Sequence, residues 1–235
     1  MIASVLQQPK LRALARRMGL AGIGYRVIRN TCGDSTRFET KLAKALREAV
    51  WEGCCVWDVG ANVGHYTSQL AQWTGAQGHV VAFEPVPATF RELEAHTSAF
   101  PQVECRNLAL GAQDEEVIID AGAFSPASSL MDTAPVGKGE PVRVTTGDKL
   151  ILAGCPPPDV LKIDVEGFEE DVLWGLRGEL ARGTCRALFM EVHYGLLEKR
   201  GFLRAPGRIL SLLEDSGFRT RWIDQSHLTA YRAKP

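Results

Sequence analysis

The sequence predicts an α/β fold, a mostly parallel sheet with helices on both faces, closed by an antiparallel hairpin. Three observations predict it. From Cys54 onward, short apolar runs alternate with stretches of helical periodicity, which implies parallel strands joined by crossover helices. A glycine-rich turn, Gly60-Ala61-Asn62-Val63-Gly64, directly follows the first of these runs, at the place where an open α/β sheet seats its ligand. The chain closes on GFRTRWIDQSHLTAYRAKP, two alternating segments around a polar turn, which is hairpin patterning.

Taken in order, the pattern predicts a helix over 38–49, with Leu42, Ala45 and Leu46 on one face, leading into the core. Strands are expected over 54–58, 80–84 and 104–109, separated by helices over 65–73 and 88–96. The stretch 116–146 mixes β-branched residues, glycines and prolines with little helical periodicity, and it reads as an inserted hairpin. A short, mainly apolar strand over 160–164 suits the centre of a parallel sheet. Its crossover helix is expected over 169–176, the next strand over 188–192, and a last amphipathic helix over 209–216.

With 235 residues, 45% hydrophobic and 23% charged, the chain has the composition of a globular protein with one full core. A net charge of −1 removes the electrostatic case for a nucleic-acid partner. Six cysteines, Cys32, Cys54, Cys55, Cys105, Cys155 and Cys185, show no CxxC spacing. They are expected to be free thiols in a reducing compartment, and the chain to be cytoplasmic, since no apolar run reaches spanning length and no signal-peptide core opens it.

Residues 1–33 carry Lys10, Arg12, Arg16, Arg17, Arg26 and Arg29 and no acid, with Leu6, Leu11, Leu14 and Met18 at helical spacing. A basic amphipathic helix is expected there, as a cap or homodimer element, with membrane-surface contact the sharper alternative. The domain division is therefore a helical cap over 1–50 and a main α/β domain over 51–235.

The glycine turn constrains the ligand. A dinucleotide site needs G-x-G-x-x-G, whose middle glycine admits the pyrophosphate; here only Gly60 and Gly64 are present, with Asn62 between them. No Gly-Lys-Ser/Thr follows to make a Walker loop. Glu84 closes the second predicted strand twenty residues beyond Gly64, ahead of Pro85, and its carboxylate suits both hydroxyls of a ribose. A nucleoside without a pyrophosphate fits these features better than NAD does.

The runs DVGANVGHYT, AFEPVP, NLALG, SSL, LKIDVEGFEEDVLWG and MEVH occur in that order from about Val56 to His193. This ordered set resembles the FkbM family of S-adenosylmethionine-dependent methyltransferases. The resemblance implies the class I, Rossmann-like methyltransferase fold, with seven strands and a closing antiparallel hairpin. It also implies S-adenosylmethionine as cofactor. Asp58, Gly60, Asn62 and Gly64 would line its methionine half, Glu84 would take the ribose, and Asn107, Leu108 and Ala109 would flank the adenine. Ser128 and Ser129 would reach the methionine or the substrate. The implied acceptor is a hydroxyl of a sugar, glycolipid or polyketide-type metabolite; N-methylation of a small molecule and a noncatalytic nucleoside-binding module are the alternatives.

Methyl transfer from sulfonium to oxygen is an in-line displacement, and an aliphatic hydroxyl needs a general base or a metal ion to activate it. Asp164 ends a central strand and Glu166 follows it; Glu191 and His193 end the next strand, two residues apart and thus on one face. Asp164, Glu191 and His193 are the expected catalytic residues, with direct base catalysis favoured. A divalent metal, if used, would sit on the same three. His65 and Glu166 are further substrate or cofactor candidates. Lys162, two residues before Asp164, is costly to bury unless paired. Glu169, Glu170 and Asp171 read as a helix first turn, and His79, His96 and His227 as structural.

Overall fold

The computed structural model describes residues 35–119 and 140–232. The basic segment 1–33, the middle of the inserted hairpin, and Ser128 and Ser129 lie outside the described residues.

Seven strands form the main sheet: β1 (Cys55–Val59), β2 (His79–Phe83), β3 (Val103–Arg106), β7 (Val160–Ile163), β8 (Ala187–Glu191), β9 (Phe218–Trp222) and β10 (His227–Arg232). Their order is β3-β2-β1-β7-β8-β10-β9. Strands β1, β2, β3, β7 and β8 run parallel, and β10 pairs antiparallel with both β8 and β9. The expected class I sheet with its closing hairpin is therefore present. Strand order reverses between β1 and β7, which opens a crevice at their carboxyl ends.

Period-two alternation explains how both faces are covered. Trp57 and Val59 of β1, Val81 and Phe83 of β2, and Leu161 and Ile163 of β7 join one apolar cluster. Val56, Val80 and Val160 join another, with Leu42 and Leu46 of α1 (Ser35–Ala49) and Leu70 and Ala71 of α2 (His65–Thr74). Helix α3 (Pro87–Thr97) packs Leu93 against Ala61 and Ala82. The first cluster is closed by α5 (Glu169–Gly175), α6 (Arg177–Arg182), α7 (Tyr194–Lys199) and α8 (Ala205–Asp215). Cys54, Cys55, Cys105, Cys155 and Cys185 are free thiols.

Three expectations change. The strand over 104–109 splits: β3 ends at Arg106, and β4 (Ala109–Leu110) leaves the main sheet. The Asn107 side chain donates to the carbonyls of Glu84 (2.9 Å) and Pro85 (3.0 Å) at that break, so the chain turns there. The inserted hairpin, β5 (Glu115–Ile119) with β6 (Glu140–Thr145), is antiparallel as expected, but β4 joins it through β6 in a second, three-stranded sheet. Helices α4 (Gly147–Leu152), α6 and α7 were not expected; each is only 6 residues long, too short to show a full apolar period. Among the described residues no helix is long and apolar enough to cross a membrane.

Candidate active site

The turn after β1 is built by backbone constraints. Gly60 has φ +79° and Gly64 φ +89°, both left-handed, where glycine carries no steric penalty. A Cβ on Gly60 would lie 1.9 Å from the carbonyl oxygen of Asp164, and one on Gly64 would lie 2.9 Å from Leu93. Close packing of the turn on β7 and α3 therefore accounts for both glycines by itself. Asn62 also has a positive φ, +51°, and its Oδ1 accepts from the Val63 amide at 2.7 Å, a local bond that makes the left-handed form tolerable.

Glu84, only 6% exposed, ties this turn to the end of β2. Its two oxygens accept from the amides of Asn62 (3.0 Å) and Val86 (2.9 Å). Burial pushes its carboxyl up to about 6 in spite of those two bonds.

Asp58 lies beneath the turn. Its carboxylate is fully buried, accepting from Thr67 Oγ1 at 2.7 Å and from Lys162 Nζ at 2.9 Å. Sheet register sets Asp58 directly beside Lys162, so the costly lysine is paired, and its ammonium also lies 5.1 Å from the Tyr66 ring centre. Asp58 thus braces the turn from beneath. Burial alone would lower the Lys162 ammonium, but the Asp58 charge beside it holds it raised.

At the ends of β7 and β8 the predicted cluster assembles. His193 Nε2 lies 3.7 Å from Asp164 Oδ1 and 3.6 Å from Glu166 Oε2. One ligand atom each from Asp164, Glu191 and His193 falls within 4.8 Å of the others. Glu166 is aimed there by a left-handed backbone, φ +50°, uncommon for a residue with a Cβ. The following Gly167, φ +94°, packs against Leu196. Arg200, lying 3.7 Å from the centre of the Phe168 ring, clamps this turn by donating to the Gly167 carbonyl (2.5 Å) and to Asp171 (2.7 Å).

Two residues that read as structural in the sequence hold this cluster. Glu169 is fully buried, and its Oε1 lies 2.7 Å from His193 Nδ1 while accepting from the amides of Gly167 and His193. His227, also buried, lies between Asp224 Oδ2 (2.8 Å) and Glu191 Oε2 (3.5 Å). Burial alone would lower the His193 imidazolium; the Glu169 hydrogen bond and the charges of Glu169, Asp164 and Glu166 overcome it and raise it to about 10. In His227 the bonds to Asp224 and Glu191 outweigh burial in the same way, raising it to about 9. In sequence Glu169 stands beside Glu170 and Asp171 as one acid of a helix first turn, and no local pattern set it or His227 apart.

The remaining candidates lie elsewhere. His65 is exposed and its ring stacks with His96, centroids 6.4 Å apart. Leu108 and Ala109 are buried, while Asn107 is exposed and spends its amide on the turn.

A glycine turn after β1, an acid ending β2 and a polar cluster at the switch point of this seven-stranded sheet define a class I methyltransferase domain. The chain belongs to the methyltransferase FkbM domain family, whose model matches residues 58–220. The hexuronic acid methyltransferase AglP of Haloferax volcanii is 28% identical to it over 162 residues. That match spans 68% of this chain and 64% of AglP. The crystal structure of methyltransferase FkbM from Methylobacillus flagellatus shares the fold, with a TM-score of 0.51 at 17% identity, over 76% of this chain and 43% of that one. A putative rRNA methylase from Clostridium thermocellum shares it too, with a TM-score of 0.52 at 12% identity, over 87% of this chain and 99% of that one.

Proposed function

We propose that this protein transfers the methyl group of S-adenosylmethionine to a hydroxyl of a sugar, glycolipid or polyketide-type metabolite. One observation carries the reading. The glycine turn that would cradle the donor packs directly on Asp164, Gly60 facing its carbonyl, so donor seat and acid–imidazole cluster share one sheet edge. A hydroxyl lodged between them meets the methyl group on one side and proton acceptors on the other.

In this reading the Gly60–Gly64 turn holds the methionine half and Glu84 the ribose. Leu108 and Ala109 give the adenine an apolar wall. As the acceptor oxygen attacks, the S–CH3 bond breaks and an O–CH3 bond forms; sulfur keeps the electron pair and becomes a neutral thioether. The proton of the hydroxyl passes to a carboxylate of the cluster, Asp164 or Glu166. The similarity to AglP, named as acting on hexuronic acid, favours a sugar over the other acceptors.

The test is calorimetric titration with S-adenosylhomocysteine and with NAD, followed by transfer of labelled methyl to uronic-acid glycans. Saturable S-adenosylhomocysteine binding and alkali-stable label in the glycan are expected. Saturable NAD binding with no response to S-adenosylhomocysteine would overturn the reading.

A further inference from the structure

We propose that Asp164, Glu191 and His193 together bind one divalent cation of the Mn2+ class, to which the acceptor hydroxyl coordinates. The proposal deepens the methyltransferase reading and rests on it only for the identity of the acceptor.

The spacing is the first argument. His193 Nε2 stands 3.7 Å from Asp164 Oδ1, too far for a hydrogen bond. It is close to the separation of about 3.0–3.4 Å between neighbouring ligands that metal bonds of about 2.0–2.2 Å impose. The atoms of all three residues fit within 4.8 Å, so a small inward shift closes them on one ion.

The second argument is independent of the ligand atoms and concerns what stands behind them. A metal-binding histidine almost always donates its other ring N–H to a carboxylate or carbonyl, which fixes the ring and leaves the second nitrogen to the ion. Here Glu169 Oε1 takes Nδ1 at 2.7 Å and Nε2 faces Asp164. Among the described residues, the fully buried Glu169 Oε2 has no hydrogen-bond partner. An orphaned carboxylate oxygen in the interior calls for positive charge nearby. Glu191 is held in the same manner, by His227 at 3.5 Å and Ser226 Oγ at 3.4 Å, and His227 is in turn fixed by Asp224 at 2.8 Å.

The third argument is access. The side chains of Asp164, Glu191 and His193 are 34%, 28% and 17% exposed, while their supports Glu169, Asp224 and His227 are buried. The cluster is open on the side where substrate arrives and braced on the other. Two carboxylates with one imidazole suit a first-row ion such as Mn2+ better than Ca2+ or Mg2+, which favour all-oxygen shells. A coordinated hydroxyl loses its proton more readily, and Glu166, outside the ligand set and 3.6 Å from His193 Nε2, receives it.

The experiment titrates the full-length, chelator-treated protein with MnCl2, followed by calorimetry and electron paramagnetic resonance, with S-adenosylhomocysteine titrated in parallel. One saturable Mn2+ site per chain is expected, carrying nitrogen hyperfine coupling from an imidazole. Glu191→Gln and His193→Asn should each weaken it at least tenfold, and His227→Gln by roughly tenfold to a hundredfold, with S-adenosylhomocysteine affinity within about twofold of the parent. Absence of a saturable site, absence of the nitrogen coupling, or unchanged Mn2+ affinity in His193→Asn and Glu191→Gln would each overturn the proposal. S-adenosylhomocysteine binding without Mn2+ binding removes the cation site and leaves the methyltransferase reading standing. Mn2+ binding with the expected losses, without S-adenosylhomocysteine binding, does the reverse.

Discussion

Glu169 Oε1 sits 2.7 Å from His193 Nδ1, so a carboxylate in the first turn of α5 fixes the ring of a histidine at the end of β8. The same oxygen accepts from the amides of Gly167 and His193 at 3.0 and 3.2 Å. One buried atom therefore locks the Glu166 turn, the His193 backbone and the His193 ring into a single unit.

From this follows the first prediction. His193→Ala should lower methyl-transfer turnover by roughly two to four powers of ten, while S-adenosylhomocysteine affinity holds, because the proposed function sets the residue on the acceptor side only. Glu169→Gln keeps the shape but weakens the anchor, and it should lower turnover less than His193→Ala does. Single-turnover kinetics beside calorimetry separates the two effects; unchanged turnover in His193→Ala would remove the residue from the reaction.

The second prediction concerns Glu84, whose carboxyl burial holds at about 6. In the proposed function the ionised form would accept from the ribose hydroxyls and the protonated form would do so poorly. Affinity for S-adenosylhomocysteine should therefore be full above pH 7 and decline below pH 6, by at most about tenfold per pH unit for one proton. Glu84→Ala should cost roughly 1–3 kcal/mol of binding at pH 7.5 and flatten that decline. A pH profile identical in parent and variant would refute the assignment.

A third prediction tests the Asp58–Lys162 pair, buried side by side at 2.9 Å. Removing one partner leaves an uncompensated interior charge, so Lys162→Met should destabilise the fold by about 3–5 kcal/mol. The double variant Lys162→Met with Asp58→Asn removes both charges, and it should recover a substantial part of that loss. Urea denaturation of the parent and the variants reads this directly; a single variant as stable as the parent would show that the pair contributes nothing.

The sequence by itself determined the alternation of strands and helices, the glycine turn, and the acids and imidazole at the strand ends. These are local matters. Periodicity says which face a side chain takes, so Glu191 and His193 were legible as one group, and Pro85 marked where Glu84 must stop its strand. The family motifs were legible for the same reason, being continuous short runs.

Only the tertiary structure decided who meets whom. Asp58 and Lys162 are 104 residues apart, and they pair because β1 and β7 are neighbours in register, which no local pattern states. Glu169 reads in sequence as an ordinary acid of a helix first turn, yet folding buries it against His193 as that ring's anchor. His227, on the antiparallel strand that closes the sheet, reaches Glu191 only because β10 lies against β8 with those two residues opposite each other. A buried polar group is stabilised by whichever partner folding brings to it, and strand order and register, set by the whole core, choose that partner.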